Sequence, residues 1–338
     1  MDPLPNDETM HNRPTSVVLP PPIYEDIEAN GSGASAQQRT RAFRLVQIMA
    51  NFGILFFVGF VAEKFFKWVG PYQRGFFCDD DSIRLPYKSS TVPDWLLLVY
   101  ALGVPPFVFA FGEFICLSKA PALAIRQRLN DFEFGEGDRL RFFCRFAYFY
   151  GNYLIAFVAN FTFTLVAKFS VGRLRPHFVD LCKPNVVDFC ATATNWHTYI
   201  EHFECDKNVL QDQIDNARLS FFSGHSSLAM CASVFIAIYL HVRLSPLFRA
   251  RFFVLVPLLQ IAFLSLGMLI AYSRIKDHMH HSTDVLIGIV AGTSVASFTA
   301  LFIARLNING TDEEYAVNNL NTSKNGGKPS AATVTERL

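Results

Sequence analysis

The sequence predicts an all-α integral membrane protein with six transmembrane helices, and three observations predict it. Of 338 residues, 51% are hydrophobic and only 17% are charged, which lies on the apolar side of soluble usage. The apolar residues are gathered into six runs. Each run approaches the roughly 20 residues that a helix rising about 1.5 Å per residue needs to cross about 30 Å of hydrocarbon. Basic residues, finally, crowd onto alternate loops. A soluble helical protein with buried core helices is the competing architecture, and it would have to carry six such lengths in one chain.

The elements follow in order. Residues 1–43 are polar and proline-containing and read as a disordered tail, with no apolar stretch for a cleavable signal peptide. The spans are expected near 44–65, 94–117, 143–166, 226–243, 251–272 and 284–305, followed by a second disordered tail over 306–338. Gly103, Pro105 and Pro106 predict a kink in span two, where Glu113 is expected to pair with a nearby cation. Six spans place both tails on one side. Arg39, Arg41 and Arg44 precede span one. Lys119, Arg126, Arg128, Arg139 and Arg141 follow span two, and Arg243, Arg249 and Arg251 follow span four. The positive-inside rule makes these segments cytoplasmic. The net charge of +1 is consistent with this distribution and leaves no basic stripe for nucleic acid.

The loops after spans one, three and five then face the exterior or a lumen. Four of the seven cysteines, Cys78, Cys182, Cys190 and Cys205, fall in those loops. Disulfides persist there, so one or two bridges are expected, with the pairing open.

Three stretches on that outer side carry chemistry. The first runs from Lys168 to Arg175 and Pro176. The two cations are seven residues apart, so a helix continuing past span three would align them on one face. The second is Ser223-Gly224-His225 at the start of span four, where helix-start amides favour an anion. The third holds Ser273, Arg274, His278, His280, His281 and Asp284. A helix beginning early enough would place Asp284 one turn from His280, where it holds the imidazole tautomer. Lone cations at span ends usually snorkel, and the histidine cluster has suitable metal-ligand types. Neither reading accounts for three cations, two histidines and an acid together.

These motifs, K-x6-R-P, S-G-H and S-R-x5-H-x3-D, resemble the signatures of the type 2 phosphatidate phosphatase superfamily, which includes the vanadium haloperoxidases. The chain resembles its animal lipid phosphate phosphatase branch, also through Phe222 before the S-G-H and Pro71 to Cys78 in the first outer loop. The resemblance implies a six-helix phosphatase domain over 44–305 and no metal cofactor. It implies His280 as nucleophile, His225 as acid and base, and Asp284 as the partner of His280. Lys168, Arg175, Arg274, Ser223 and Gly224 would bind phosphate. Implied substrates are phosphatidate, lysophosphatidate, ceramide 1-phosphate and sphingosine 1-phosphate, in the plasma membrane or endomembranes. A lipid phosphotransferase of sphingomyelin synthase type and a catalytically silent surface protein are the rival functions. The outer loop 168–222 lacks the glycosylation sequon frequent in the family. Sequons occur instead at Asn30, Asn160, Asn309 and Asn321.

One motif lies outside the chemistry. Pro21, Pro22 and Tyr24 form P-P-x-Y, a WW-domain ligand, and Tyr24 to Ile27 fits the tyrosine signal of endocytic adaptors. Partners expected are therefore lipids and a tail adaptor, with homo-oligomerisation left open.

Overall fold

The computed structural model describes residues 33–119, 138–192, 195–248 and 252–306. The N-terminal motif at Pro21 to Ile27 and the C-terminal tail from residue 307 lie outside them. The chain divides after Gln47 into two compact units; the packing below concerns the second.

Among the described residues six helices are long and apolar enough to cross a membrane: Val46–Val69, Asp94–Ser118, Phe142–Val171, Gly224–Phe248, Leu255–Lys276 and Ser282–Ile303. The first belongs to α1 (Gly33–Val69), so residues 33–43 of the expected disordered tail are helical. That segment, with Ala34, Ala36, Gln37, Gln38 and Arg39, is rich in strong helix formers. The second span joins α2 (Asp94–Leu98), a π-helical turn (Val99–Gly103) and α3 (Val104–Lys119). The others are α4 (Asp138–Val171), α8 (Gly224–Phe248), α9 (Leu255–Lys276) and α10 (Ser282–Phe298), the last prolonged by a π-helical turn (Thr299–Ile303).

The π-helical turn before Pro105 is where span two departs from a regular helix. Proline lacks an N–H, so Pro105 and Pro106 release the carbonyls four residues earlier. Tyr153 donates to the Ala101 carbonyl (2.5 Å) and Tyr150 to that of Leu102 (3.3 Å). Neighbouring α4 thus satisfies what water cannot reach in hydrocarbon.

Helix α8 is the axis of the bundle. Its span is 83% buried, against 33% or less for the other five. The packing that brings α10 against it rests on Gly288 and Gly292, one helical turn apart. A side chain on Gly292 would collide with the Ser227 carbonyl, and one on Gly288 with that of Ser223. Small residues four apart allow such backbone approach in membranes. Asn160 of α4 accepts from Ser227 (2.6 Å) and is fully buried, which removes it as a glycan acceptor.

At the end of the bundle opposite the motifs, Glu113 is fully buried. It accepts from Arg243 Nε (2.9 Å), Arg243 Nη2 (2.8 Å) and the Tyr239 hydroxyl (3.1 Å), with Arg145 at 3.9 Å. The cation expected for Glu113 is therefore Arg243, which lies inside span four, Gly224–Phe248, and not after it.

The other end carries a small cap. Strands β1 (Phe76–Phe77) and β2 (Tyr199–Ile200) pair antiparallel, Phe76 opposite Ile200. Short helices α5 (Phe178–Cys182), α6 (Val187–Cys190) and α7 (Gln211–Ala217) complete it. Disulfides join Cys78 to Cys190 and Cys182 to Cys205. The first bridge ties the loop after span one to the loop after span three, so both lie at the same end of the bundle.

Candidate active site

Lys168 stands in the last turn of α4. The helix stops three residues on because Gly172 adopts φ +56°, where any side chain would run into the Tyr72 carbonyl; its N–H closes the end on the Lys168 carbonyl (3.1 Å). The expected continuous helix from Lys168 to Arg175 is thus not formed. Arg175 arrives through an extended turn, pinned where its N–H donates to the Ala217 carbonyl (2.8 Å) and Ser220 N–H to the Arg173 carbonyl (2.9 Å). Its guanidinium donates to Asn216 (2.5 Å) and leans on Met279 Sδ at 3.5 Å.

Arg274, in the last turn of α9, donates through Nη1 to Ser90 Oγ (2.5 Å) and the Val92 carbonyl (2.9 Å) of the first outer loop. Arg175 and Arg274 are buried, and each keeps a buried Nε–H without an acceptor among the described residues. Helix α8 opens at Gly224, over which the Lys168 ammonium packs: a methyl there would lie 3.6 Å from Nζ. Ser223 caps this start weakly, its Oγ accepting from the Ser226 N–H (3.4 Å) as well as from Ser226 Oγ (2.9 Å). His225 Nε2 donates to the Val92 carbonyl (3.0 Å) and lies 3.5 Å from Asp94 Oδ1.

His280 occupies the turn between α9 and α10, held by its own N–H and that of Met279 on the Arg274 carbonyl (3.3 and 3.0 Å). Its Nδ1 donates to the Ser220 carbonyl (2.7 Å). That bond places the ring proton on Nδ1 and the lone pair on Nε2. Burial, then the cations Arg175, Lys168 and Arg274, hold its proton affinity well below the ordinary imidazole value, against a smaller opposite effect from the Ser220 carbonyl. Burial and Arg274 together bring Arg175 down to about 10, still charged at neutral pH.

Asp284 does not make the expected bond to His280. Helix α10 begins only at Ser282, with His281 as its N-cap, so His280 stands outside the helix. The carboxylate instead accepts from His281 N–H (3.1 Å), His281 Nδ1 (3.1 Å), Ser220 Oγ (2.6 Å) and Arg173 Nη1 (2.5 Å). It remains 4.0 Å from His280 Nδ1. The three clustered histidines also diverge, since His278 Nδ1 turns to the Pro86 carbonyl (2.9 Å). Among the described residues no group of three His, Cys, Asp or Glu side chains is arranged to hold a metal ion.

The fold therefore gathers Lys168, Arg175, Arg274, His225 and His280 at one end of the bundle, where the three cations bear electrostatically on both imidazoles. Sequence reasoning passed over Ser220, Asn216, Arg173 and the 90–94 segment. Of these only Arg173 had a signal, lying inside the Lys168–Pro176 stretch; Ser220 and Val92 act through carbonyls, which every residue has.

Comparison with known proteins gives the family of the chain. The profile of the PAP2 superfamily matches residues 149–308. A Caenorhabditis elegans protein named phospholipid phosphatase homolog 1.2 homolog is 34% identical over 270 residues, covering 78% of this chain and 76% of that relative. The chain belongs to the phospholipid phosphatase family. Mouse phospholipid phosphatase 1 is similar at 32% identity, covering 69% of this chain and 76% of its own. Human phospholipid phosphatase 2 is similar at 31%, covering 69% and 74%. No solved structure matches. This member of the phospholipid phosphatases is a multi-pass integral membrane hydrolase, and the PAP2 match at 149–308 spans Lys168, Arg175, His225, Arg274 and His280.

Proposed function

We propose that the protein hydrolyses lipid phosphate monoesters by double displacement through a phosphohistidine at His280, on the extracellular or lumenal side of the membrane. The observation that carries this reading is the convergence of three cations on two imidazoles, one of them fixed with its Nε2 lone pair available. His280 Nε2 attacks phosphorus while the phosphorus–oxygen bond to the lipid breaks, and His225 gives its proton to the departing alkoxide. His225 then takes a proton from water, whose oxygen displaces His280 and leaves as inorganic phosphate. Lys168, Arg175 and Arg274, with Ser223 and the Gly224 amide at the start of α8, hold the non-bridging oxygens and stabilise charge growing on them. The buried Nε–H groups of Arg175 and Arg274 support this role, because an anionic oxygen would supply the acceptor they need. The Val92 carbonyl, accepting from both Arg274 and His225, occupies the position between them that such an oxygen would take.

An amphiphilic substrate is supported by what surrounds the site. Tyr272, two residues before Arg274, and Trp95, beside Asp94, are 53% and 65% exposed. Aromatic residues of this kind settle at the headgroup level. Phosphatidate, lysophosphatidate, ceramide 1-phosphate and sphingosine 1-phosphate all have the required form. The outer placement is supported by the two disulfides, which persist in oxidising compartments. The test is phosphate release by purified protein, with chelator present and a lipid alcohol offered as acceptor. Inorganic phosphate is the expected product, and His280→Ala should lower turnover at least about 10³-fold. Retained activity in that variant overturns the assignment, loss to chelator restores the metal reading, and transfer to the alcohol restores the phosphotransferase.

A further inference from the structure

Asp94, a carboxylate beside the site, has no part in the mechanism. Asp94 is the first residue of α2, directly after Pro93, and its Oδ1 lies 3.5 Å from His225 Nε2. Two other carboxylates beside the site are engaged. Asp284 is held by Arg173, Ser220 and His281. Asp277 is held by Thr91, through its N–H (2.7 Å) and its hydroxyl (2.6 Å). Asp94 differs from both: its side chain is 91% exposed, whereas that of His225 beside it is 11% exposed. It therefore faces the open side of the imidazole, and its charge is felt by Lys168, Arg175 and Arg274 behind it.

This position has a meaning for the leaving group, and the inference rests on the phosphatase reading above. If His225 protonates the ester oxygen, that oxygen comes within hydrogen-bond distance of Nε2. The first two carbons of the leaving alcohol then extend away from the cations, toward the exposed side where Asp94 stands. The substituent on the second carbon distinguishes the lipid phosphates. It is an ester in phosphatidate, a hydroxyl or ester in lysophosphatidate, an amide in ceramide 1-phosphate and an ammonium in a long-chain base phosphate. Three cations at the phosphate would repel an ammonium so close by, and an exposed carboxylate offsets that repulsion with little desolvation.

We propose that Asp94 is a specificity-determining residue that favours lipid phosphates bearing an ammonium on the second carbon of the leaving alcohol over those bearing a neutral group there. The contact is specific to charge, so Asp94→Glu retains the preference and Asp94→Asn loses it.

The experiment compares kcat/KM of the purified full chain for three probes in mixed micelles: sphingosine 1-phosphate, its N-acetyl derivative and lysophosphatidate. The N-acetyl compound keeps the nitrogen in place but removes its charge. Asp94→Asn should lower the ratio of sphingosine 1-phosphate to the N-acetyl probe by about twofold to fivefold, the scale of an exposed ion pair. Lysophosphatidate should change little, and Asp94→Glu should keep most of the ratio. An unchanged ratio in Asp94→Asn overturns the proposal. So does an equal loss on all three probes, which would make Asp94 a positioning residue for His225. A wild-type protein that releases no phosphate from any probe overturns the phosphatase reading itself, and this inference with it.

Discussion

Asp284→Asn separates a helix cap from a catalytic charge. When His280 Nε2 bonds to phosphorus, the ring of the intermediate becomes positive. Asp284 Oδ2 stands 4.0 Å from its Nδ1. Two unit charges at that distance are worth about 4 kcal/mol at an effective dielectric constant near 20. A barrier change of that size is about 10³ in rate. Arg173 Nη1 on the other carboxylate oxygen already balances part of the charge, so the expected loss in kcat is on the order of 10² to 10³, with KM little changed. Ser220→Ala is the control. It removes the hydroxyl that donates to Asp284 (2.6 Å) but keeps the carbonyl that orients His280, so it should cost no more than about tenfold. The assay is single-turnover phosphate release from a lipid phosphate in micelles. A loss below about tenfold in Asp284→Asn would reduce the residue to the cap of α10 and refute the electrostatic argument.

Three further outcomes follow from the geometry. Glu113→Gln keeps the shape but leaves Arg243 buried without its counter-ion, and should destabilise the detergent-solubilised protein by about 3–5 kcal/mol; a change under about 1 kcal/mol in denaturant unfolding would remove the network from the account. His280 holds a depressed proton affinity, so it stays neutral as pH falls through the ordinary value of 6.5 while an unfolded chain takes up that proton, and this contribution to stability is lost below that value. Arg175→Gln removes one cause of the depression and should move the acid limb of kcat/KM to higher pH; an unmoved limb contradicts the assignment. A tag inserted after Asn208 should be reached from outside intact cells, or protected within sealed microsomes, whereas a C-terminal tag should behave oppositely.

Much of the fold was legible because hydrocarbon imposes length and apolarity on every span. Span two was expected over 94–117 and is found at Asp94–Ser118. Span four was expected from 226, yet α8 begins at Gly224. Its first turn is Gly-His-Ser-Ser, whose polar groups are buried against Asn160 and α10, so hydropathy undercounted it. The site's cations and imidazoles were legible because their types and spacings are unusual at a membrane surface. Their relative placement was less so. The alignment of Lys168 with Arg175 assumed a continuing helix, and the positive φ of Gly172 ends it. The pairing of His280 with Asp284 assumed that α10 starts early, and a capping box at His281 fixes the start two residues beyond His280. Partners that act through carbonyls, such as Val92 and Ser220, leave no trace in residue type. Nor did spacing select the pairing of Cys78 with Cys190, which depends on two loops separated by span two and span three.

Whether His280 carries the phospho-group is read directly by acid-quenched trapping of labelled phosphoenzyme during turnover of a lipid phosphate, followed by peptide mapping. An acid-labile, base-stable phosphohistidine is expected on the peptide containing His280. It should be trapped from the wild type during turnover and be absent in His280→Ala. Label on another residue, or label that persists in His280→Ala, would contradict it.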